Sequence, residues 1–383
     1  MDFELTEMQQ MIRDTAREIG EEIIKPNRAR WDEEEEFPME AIKALGEADM
    51  LGIYIPEEYG GMGGGALDLC IAVEELSRFC GGVAVSFAAN ALGAYPILLH
   101  GSEEQKQKYM PKIAKGEMLA AFGLTEPNAG SDAGGVETTA VPDGSEFVLN
   151  GTKQWITNAG VADVYTVITS TNRKRGARGL TAFIVEKGTP GFDFGAKEKK
   201  MGIRCSTTRE LHFQDCRIPA STMLGKENRG FRVAMDTLDK SRPGIGAQAV
   251  GIAQGAMEEA IDFAKNRVQF GVTIASFQAV QHMFADMAIA IEGSRLLVYR
   301  GAVAVDRGEE YASSLASMAK VYASDTAMKV STDAVQICGG SGYMREYPVE
   351  KRMRDAKITQ IYEGSNQIQR NIIGLELIRK AAH

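Results

Sequence analysis

The stretch "EFVLNGTKQWITNA" (Glu146–Ala159) decides how the chain divides. It is rich in β-branched and aromatic residues, which suit a pleated, half-buried surface. Similar short runs follow: "VYTVITST" (164–171), "GLTAFIVEK" (179–187) and "RELHFQDCRI" (209–218). Asp143-Gly144, Asn150-Gly151, Arg178-Gly179 and Pro190-Gly191 punctuate them as turn signals, and no helical stretch lies between. The middle third is therefore expected to be an antiparallel β-sheet domain.

On both sides of this region the apolar period becomes helical. In "LTEMQQMIRDTAREIGEEII" the residues Met8, Ile12, Ala16, Ile19 and Ile23 recur every three or four positions, with Thr6 as N-cap. Beyond Gly230, Ala249, Ala253, Ala256, Ala260 and Phe263 share one face, and helices are expected to continue to Ala382. The class is α+β: an all-helical domain over 1–120, a β domain over 121–230 and a helical domain over 231–383. No internal repeat is evident. The acidic run Asp32–Glu36 reads as a solvated connector, and "PEEYGGMGGG" (Pro56–Gly65) as a glycine-rich connection rather than a phosphate cradle, because no strand precedes it.

At 383 residues the chain exceeds one small core. Its 43 Lys+Arg against 52 Asp+Glu give a net charge of -9, the wrong sign for a protein living on nucleic acid or an anionic membrane. Any anionic ligand must be held by local groups. The five cysteines (Cys70, Cys80, Cys205, Cys216, Cys338) form no CxxC pair, which suits buried thiols in a reducing compartment and argues against zinc or any other metal. The segment "MDFELTEMQQ" has no basic stretch followed by an apolar one, so a cytoplasmic location is expected. Gly81–Leu99 is uncharged and nearly long enough to span a bilayer, but it contains Ser86, Asn90 and Pro96 and lacks basic flanks. A buried helix is expected, with no membrane span.

Three segments carry the chemistry. In "IYEGSNQIQR" (Ile361–Arg370), Glu363 stands before a helical period formed by Ile368, Ile372, Leu375 and Ile378, with Ser365 as N-cap. Burial raises a carboxylate's pKa and a helix N-terminus lowers it, an opposition that suits a general base. A capping carboxylate or an ion-pair partner fits the same decapeptide. In "FGLTEPNAGSDAGG" (Phe122–Gly135), glycines surround Thr125, Asn128 and Ser131, so backbone amides and hydroxyls can approach a flat polar ligand closely. Trp155 and Thr157 are two residues apart and share a strand face, where an indole and a hydroxyl could flank an isoalloxazine ring; a core tryptophan fits equally.

Together with "QICGGSGYMREYPVEKRMRD" (Gln336–Asp355), these segments resemble the signatures of the FAD-dependent acyl-CoA dehydrogenase family, in unbroken order along essentially the whole chain. The resemblance implies a C-terminal four-helix bundle, a homotetramer, FAD as cofactor, an acyl-CoA substrate and electron-transferring flavoprotein as electron acceptor. It implies that Glu363 removes the α-proton of the thioester while the β-hydrogen leaves as hydride to flavin N5. Phe122, Leu124, Thr125, Gly130 and Ser131 match flavin-loop positions, and Trp155, Ile156 and Thr157 the residues beside the ring. Arg267, Gln269, Phe270 and Gln278 match contacts to the pyrophosphate and adenine end from a neighbouring subunit. Gln336, Gly339 and Gly340 match a contact across subunits, and Ser365 and Gln367 further cofactor positions. Ser131, Asp239, Ser241, Arg242, Tyr362 and Gly364 match coenzyme A contacts.

Two departures sharpen the expectation. Relatives that place the base on the earlier helix do so near "LDKSRPG", where this chain has Ser241 and no suitable glutamate. Relatives acting on glutaryl-CoA carry an arginine where Val83 and Phe87 stand here, so an apolar acyl group is expected: short or medium, branched or alicyclic. Gly93, Ala94, Gly244 and Gly246 could leave room for a bulky group or could serve helix packing. Three functions compete: a dehydrogenase, including one running as an enoyl-CoA reductase within an electron-transferring complex; a flavin oxidase, disfavoured by Glu363 where nitroalkane-type relatives place Asp; and a noncatalytic nucleic-acid-associated relative, disfavoured by net charge.

Overall fold

The computed structural model describes residues 4–381; Met1–Phe3 at the start of the acidic N-terminal stretch, and Ala382, lie outside the described residues. The first layer is helical: α1 (Glu7–Ile19), α2 (Lys25–Glu33), α3 (Met39–Glu47), α4 (Ala66–Phe79), α5 (Gly81–His100) and α6 (Glu103–Ala114). Thr6 caps α1 through a reciprocal box, its Oγ1 accepting from Gln9 N at 3.2 Å while Gln9 Oε1 accepts from Thr6 N at 3.1 Å. Ile12 and Ala16 on that helix are fully buried.

The helix α5 is the apolar segment Gly81–His100, and 78% of its most apolar window is buried inside the fold. It packs on β1 and α7 as a core helix does. Asn90, at 1% exposure, accepts from Ala120 N at 2.7 Å through Oδ1, while its Nδ2 is buried without a partner among the described residues.

The middle layer is an eight-stranded sheet: β1 (Ala120–Gly123), β2 (Thr139–Asp143), β3 (Glu146–Thr157), β4 (Val164–Ser170), β5 (Leu180–Glu186), β6 (Phe192–Phe194), β7 (Thr208–Pro219) and β8 (Met223–Leu224). Its order is β6-β7-β3-β2-β4-β5-β8, with β1 beside β4. Most pairings are antiparallel as expected, but β1 runs parallel to β4 and β2 meets β4 in parallel at Thr139–Ser170. The sheet is therefore mixed, because β1 arrives from the helical layer and reaches β4 only by way of the β2–β3 hairpin. Asn150-Gly151 lies inside the long β3 rather than at a turn: the register shifts between Leu149 and Gly151, where β7 carries the extra residue, and Gly151 has φ +144. The turn lies at Gly144, between paired Asp143 and Glu146.

The last layer contains α7 (Gly230–Asn266), the small hairpin β9 (Val268–Gln269) and β10 (Val272–Thr273), α8 (Gln278–Asp306), α9 (Ala312–Gly342), α10 (Val349–Thr359) and α11 (Asn366–Ala381). The alanine face of α7 is fully buried. Small residues let it lie almost backbone to backbone on α4: a Cβ at Gly251 would fall 2.1 Å from Glu74 O, and one at Gly255 2.3 Å from Arg78 O. All five cysteines are buried and free. The acidic connector is corrected at its first residue. Asp32 is 5% exposed and accepts from Arg354 Nη2 at 2.8 Å, so an ion pair inside the molecule, not solvent, selects that aspartate.

Gly251→Ala is predicted to lower stability by about 1–3 kcal/mol through overpacking at this crossing. Gly244→Ala, on the same helix but with nothing within 4 Å of its added Cβ, leaves the thermal midpoint unchanged or raised. Thermal unfolding of the two variants side by side checks the contrast.

Candidate active site

The loop between α10 and α11 carries Glu363 at φ +51 and Gly364 at φ +89. A glutamate in the left-handed region is uncommon and persists only where its surroundings over-determine it. Here they do. Gln369 Nε2 donates to Glu363 O at 3.0 Å and Gly364 O at 3.2 Å, and the fully buried Lys320 donates to Gly364 O at 2.9 Å. Asn366 donates from its backbone to Gln360 O at 3.0 Å and from Nδ2 to Asp325 Oδ1 at 2.8 Å. Ser365 caps α11, accepting from Ile368 N at 3.4 Å, as the sequence predicts.

The Glu363 carboxylate accepts a 2.6 Å hydrogen bond from Ser241 Oγ on α7. Burial pushes its pKa up; the Ser241 hydroxyl and the charges of Arg242 and Lys320 pull the other way without cancelling the rise. The counterweight to burial thus comes from two side chains on α7 and one on α9. Arg242, 4% exposed, pairs with Asp239, which also accepts from Ser313 Oγ at 3.0 Å. Its Nε is buried without a partner among the described residues. Tyr362 donates to Gln248 Oε1, whose amide in turn holds Gly81 O at 2.9 Å, and burial keeps the phenol far above its usual range. Ser241, Arg242, Tyr362 and Gly364 therefore gather around Glu363, with Asp239 behind Arg242.

The second cluster is the loop after β1. Two residues that sequence reading passed over build it: Lys153, fully buried on β3, and Glu126, 3% exposed. Lys153 Nζ lies 2.6 Å from Glu126 Oε1 and 3.1 Å from Leu124 O. Burial works against the Glu126 charge, but Lys153 and the backbone amides of Glu137 (2.5 Å) and Thr138 (3.0 Å) outweigh it and hold the carboxyl below its ordinary range. Gln154 N donates to Thr125 O at 2.8 Å. Phe122 and Leu124 are buried, Thr125 half-buried, and Gly130 and Ser131 exposed on the loop's crest. The signal for the buried pair was present as a glutamate inside a glycine-rich turn and a lysine at an inward position of a strand.

Trp155 follows Lys153 at a second bulge, where the register shifts between Lys153 and Ile156. With φ +58, its indole is turned outward and is 59% exposed, Ile156 is buried and Thr157 half-buried. A bulge between Lys153 and Trp155 explains how residues two apart end on opposite sides of the sheet. It also settles that Trp155 is not a core tryptophan.

The third set lies on exposed segments. Arg267, Gln269 and Phe270 occupy the β9–β10 hairpin, Phe270 at φ +54 and 95% exposed, and Gln278 opens α8. Gln336, Gly339 and Gly340 are exposed at the end of α9, where Gly339 (φ 58, ψ -138) bends the chain; Gln367 is exposed on α11. Among the described residues no hydrogen bond ties these groups to the Glu363 loop or to the loop after β1. Nothing in a single chain completes their site.

Comparison with known proteins puts this three-layered chain among flavin-dependent oxidoreductases whose cofactor is FAD. Residues 6–117, 121–216 and 228–378 match, in turn, the N-terminal, middle and C-terminal domains of acyl-CoA dehydrogenase. The chain is 50% identical over 380 residues to the short-chain-specific acyl-CoA dehydrogenase of Clostridium acetobutylicum, covering 99% of this chain and 100% of that one. It is 46% identical over 382 residues to the acryloyl-CoA reductase (NADH) of Anaerotignum propionicum, covering 99% and 97%. Butyryl-CoA dehydrogenase of Megasphaera elsdenii superposes with a TM-score of 0.96 at 46% identity, covering 99% of this chain and 100% of that one. A chain from the structure of the electron transferring flavoprotein of Acidaminococcus fermentans does so with a TM-score of 0.97 at 51% identity and the same coverage. The chain belongs to the acyl-CoA dehydrogenase family.

Lys153→Met strands the Glu126 carboxylate without its cation and is predicted to cost about 3–5 kcal/mol. The variant should unfold at lower temperature and purify with less flavin. Glu126→Gln with Lys153→Met, which removes both charges, should recover part of that loss. Unfolding and flavin absorbance on the same samples check both outcomes.

Proposed function

We propose that the protein dehydrogenates a short, apolar acyl-CoA to its 2-enoyl thioester, with Glu363 as the base. The observation that carries this is the 2.6 Å contact from Ser241 to a carboxylate that is desolvated yet paired with no neighbouring cation by hydrogen bond. Such a group takes a proton more readily than an exposed carboxylate and can return it. Ser241 on the Oε2 atom orients the carboxylate, and the backbone pinned by Gln369 and Lys320 keeps it from swinging out. The backbone N–H of Glu363 has no partner among the described residues, so it can bind the thioester oxygen and stabilise charge as the α-proton leaves. Arg242, with its unpartnered Nε, holds positive charge beside the base.

The residues present fit FAD. The outward indole of Trp155, held at φ +58, offers a flat wall that no neighbouring side chain claims. The crest of the loop, Thr125, Gly130 and Ser131, offers amides and hydroxyls, and Thr157 a further hydroxyl. When bound, FAD would supply the acceptor for the hydride from the β-carbon. Leu124, Ile156 and Phe122 exclude water from beneath the loop. Arg267, a guanidinium able to fork onto phosphate, with Gln269, Phe270 and Gln278 would hold the other end. In our reading they serve a neighbouring copy together with Gln336, Gly339, Gly340, Ser365 and Gln367. A homotetramer supplies that copy, and the exposed Ile289 and Leu296, seven residues apart on α8, with Tyr322 on α9, give it an apolar surface.

A short acyl group is supported by packing. A Cβ at Gly93 would fall 2.4 Å from Ala121 N and one at Gly246 2.8 Å from Val298 Cγ2, so both glycines serve close packing; only Gly244 faces open space. Val83 and Phe87 are buried and apolar, leaving no charge for a second carboxylate. The relatives named for short-chain and butyryl substrates agree with this choice. Electron-transferring flavoprotein is the proposed electron acceptor, supported by the A. fermentans relative. The similarity to acryloyl-CoA reductase favours a second reading, in which the same site runs as an enoyl-CoA reductase in such a complex.

Anaerobic addition of acyl-CoAs to the flavin-loaded protein should bleach the visible flavin band with butyryl-CoA and much less with octanoyl- or glutaryl-CoA. Full bleaching by octanoyl- or glutaryl-CoA alone would refute the substrate class. Glu363→Gln should stay yellow and lose bleaching by at least about 100-fold. Arg267→Ala should lower flavin content more than turnover per bound flavin, measured by absorbance and initial rates.

A further inference from the structure

Lys320 pins the Glu363 loop through Gly364 O, but that role alone does not call for a charge. It is a fully buried lysine on α9, and such residues are rare unless paired. Its ammonium makes no ion pair within 4 Å among the described residues. It donates instead to two uncharged oxygens of the Glu363 loop: Gly364 O at 2.9 Å and Asn366 Oδ1 at 2.9 Å. Asn366 is itself clasped from α9, its Nδ2 reaching Ser324 Oγ at 2.9 Å and Asp325 Oδ1 at 2.8 Å. A desolvated cation set on neutral acceptors, one residue from a strained glutamate, is expensive for a purely structural peg, which a neutral donor could replace.

We propose that Lys320 is a positioning residue for the dehydrogenation, fixing the left-handed Glu363–Gly364 turn and supplying fixed positive charge behind the base. This rests on the reading of Glu363 as the base. The groups facing that carboxylate are Ser241 and Arg242 from α7, Lys320 from α9 with Asp325 beyond it, Tyr362 in its own loop and the buried Tyr95 from α5. Of these, Arg242 is already committed to Asp239, which leaves Lys320 as the cation without a carboxylate partner of its own. Burial brings its own pKa down to about 8, with the attraction of Glu363 and Asp325 limiting the fall. Its charge is therefore present at neutral pH and fades in mildly alkaline solution.

The sign of the effect is fixed. Removing a cation near a carboxylate makes the ionised form less favourable, so the base charges only at higher pH. The test uses the flavin-loaded enzyme and pH profiles of kcat/KM for butyryl-CoA with an artificial electron acceptor. Lys320→Met, which removes charge and hydrogen bonds, and Lys320→Gln, which keeps an N–H for Gly364 O, should both move the acidic limb to higher pH. At a pH on that limb kcat/KM should fall roughly tenfold, with the glutamine variant nearer wild type in kcat at high pH. An acidic limb at the wild-type position in both variants, whatever the loss of rate or stability, would overturn the proposal. Glu363→Gln run in parallel separates the failures. If it turns over normally, Glu363 is not the base and the proposal falls with it; if it is inactive while the limb of the lysine variants stays put, only the role of Lys320 is lost.

Discussion

The proposed chemistry depends on keeping one half-buried carboxylate, that of Glu363, from pairing off with a cation. A buried glutamate normally finds an arginine or lysine, as Glu259 does between Arg28 and Arg352, and an ion pair so formed is useless as a base. Glu363 escapes this because its nearest hydrogen-bonding partner is a hydroxyl, while the two cations that feel it are engaged elsewhere, Arg242 by Asp239 and Lys320 by loop oxygens. The cost appears in the backbone, where φ +51 is tolerated only because Gln369, Asn366 and Lys320 fix both sides of the residue.

The same constraint explains the rest of the architecture. Ser241 and Glu363 lie far apart in sequence, on α7 and beyond α10, so those two elements must be rigid relative to each other. A buried ionic lattice provides this. Asp355 on α10 accepts from Ile203 N at 2.6 Å in the middle layer and from Lys351 Nζ at 2.5 Å, while Arg354 reaches Asp32 in the first layer. Arg352 donates to Ser77 O and Arg78 O at the end of α4, and to Glu259 on α7. The segment "PVEKRMRD" thus staples all three layers immediately before the loop that carries Glu363. Breaking one member leaves an uncompensated buried charge, so this lattice secures geometry more than it adds stability.

Much of this was legible beforehand. Period and turn signals placed the layers, the Thr6 and Ser365 caps, and the buried helix at Gly81. Motif order grouped Glu363 with Ser241, and the structure sets the two in hydrogen-bond contact. What escaped was set by long-range pairing. Lys153 looks like an ordinary strand lysine, and only the loop after β1, folded over the sheet, brings it the buried Glu126 as partner. Asn150-Gly151 has the composition of a turn, but β7 pairs along both sides of it and keeps it within the strand. Asp32 sits in a run of acids with nothing local to mark it, and its partners Arg354 and Lys351 come from the far end of the chain. Lys320, spaced like any residue of a long helix, gains meaning only from the loop packed against it.

The central claim is that the side chain at position 363 takes the α-proton. Exchange of that proton tests it most directly: flavin-loaded protein incubated anaerobically with butyryl-CoA in deuterated water, the label at the α-carbon followed by mass spectrometry. Deuterium should enter with the native enzyme and should not enter above the uncatalysed background with Glu363→Gln. Exchange at the native rate in that variant would contradict the account.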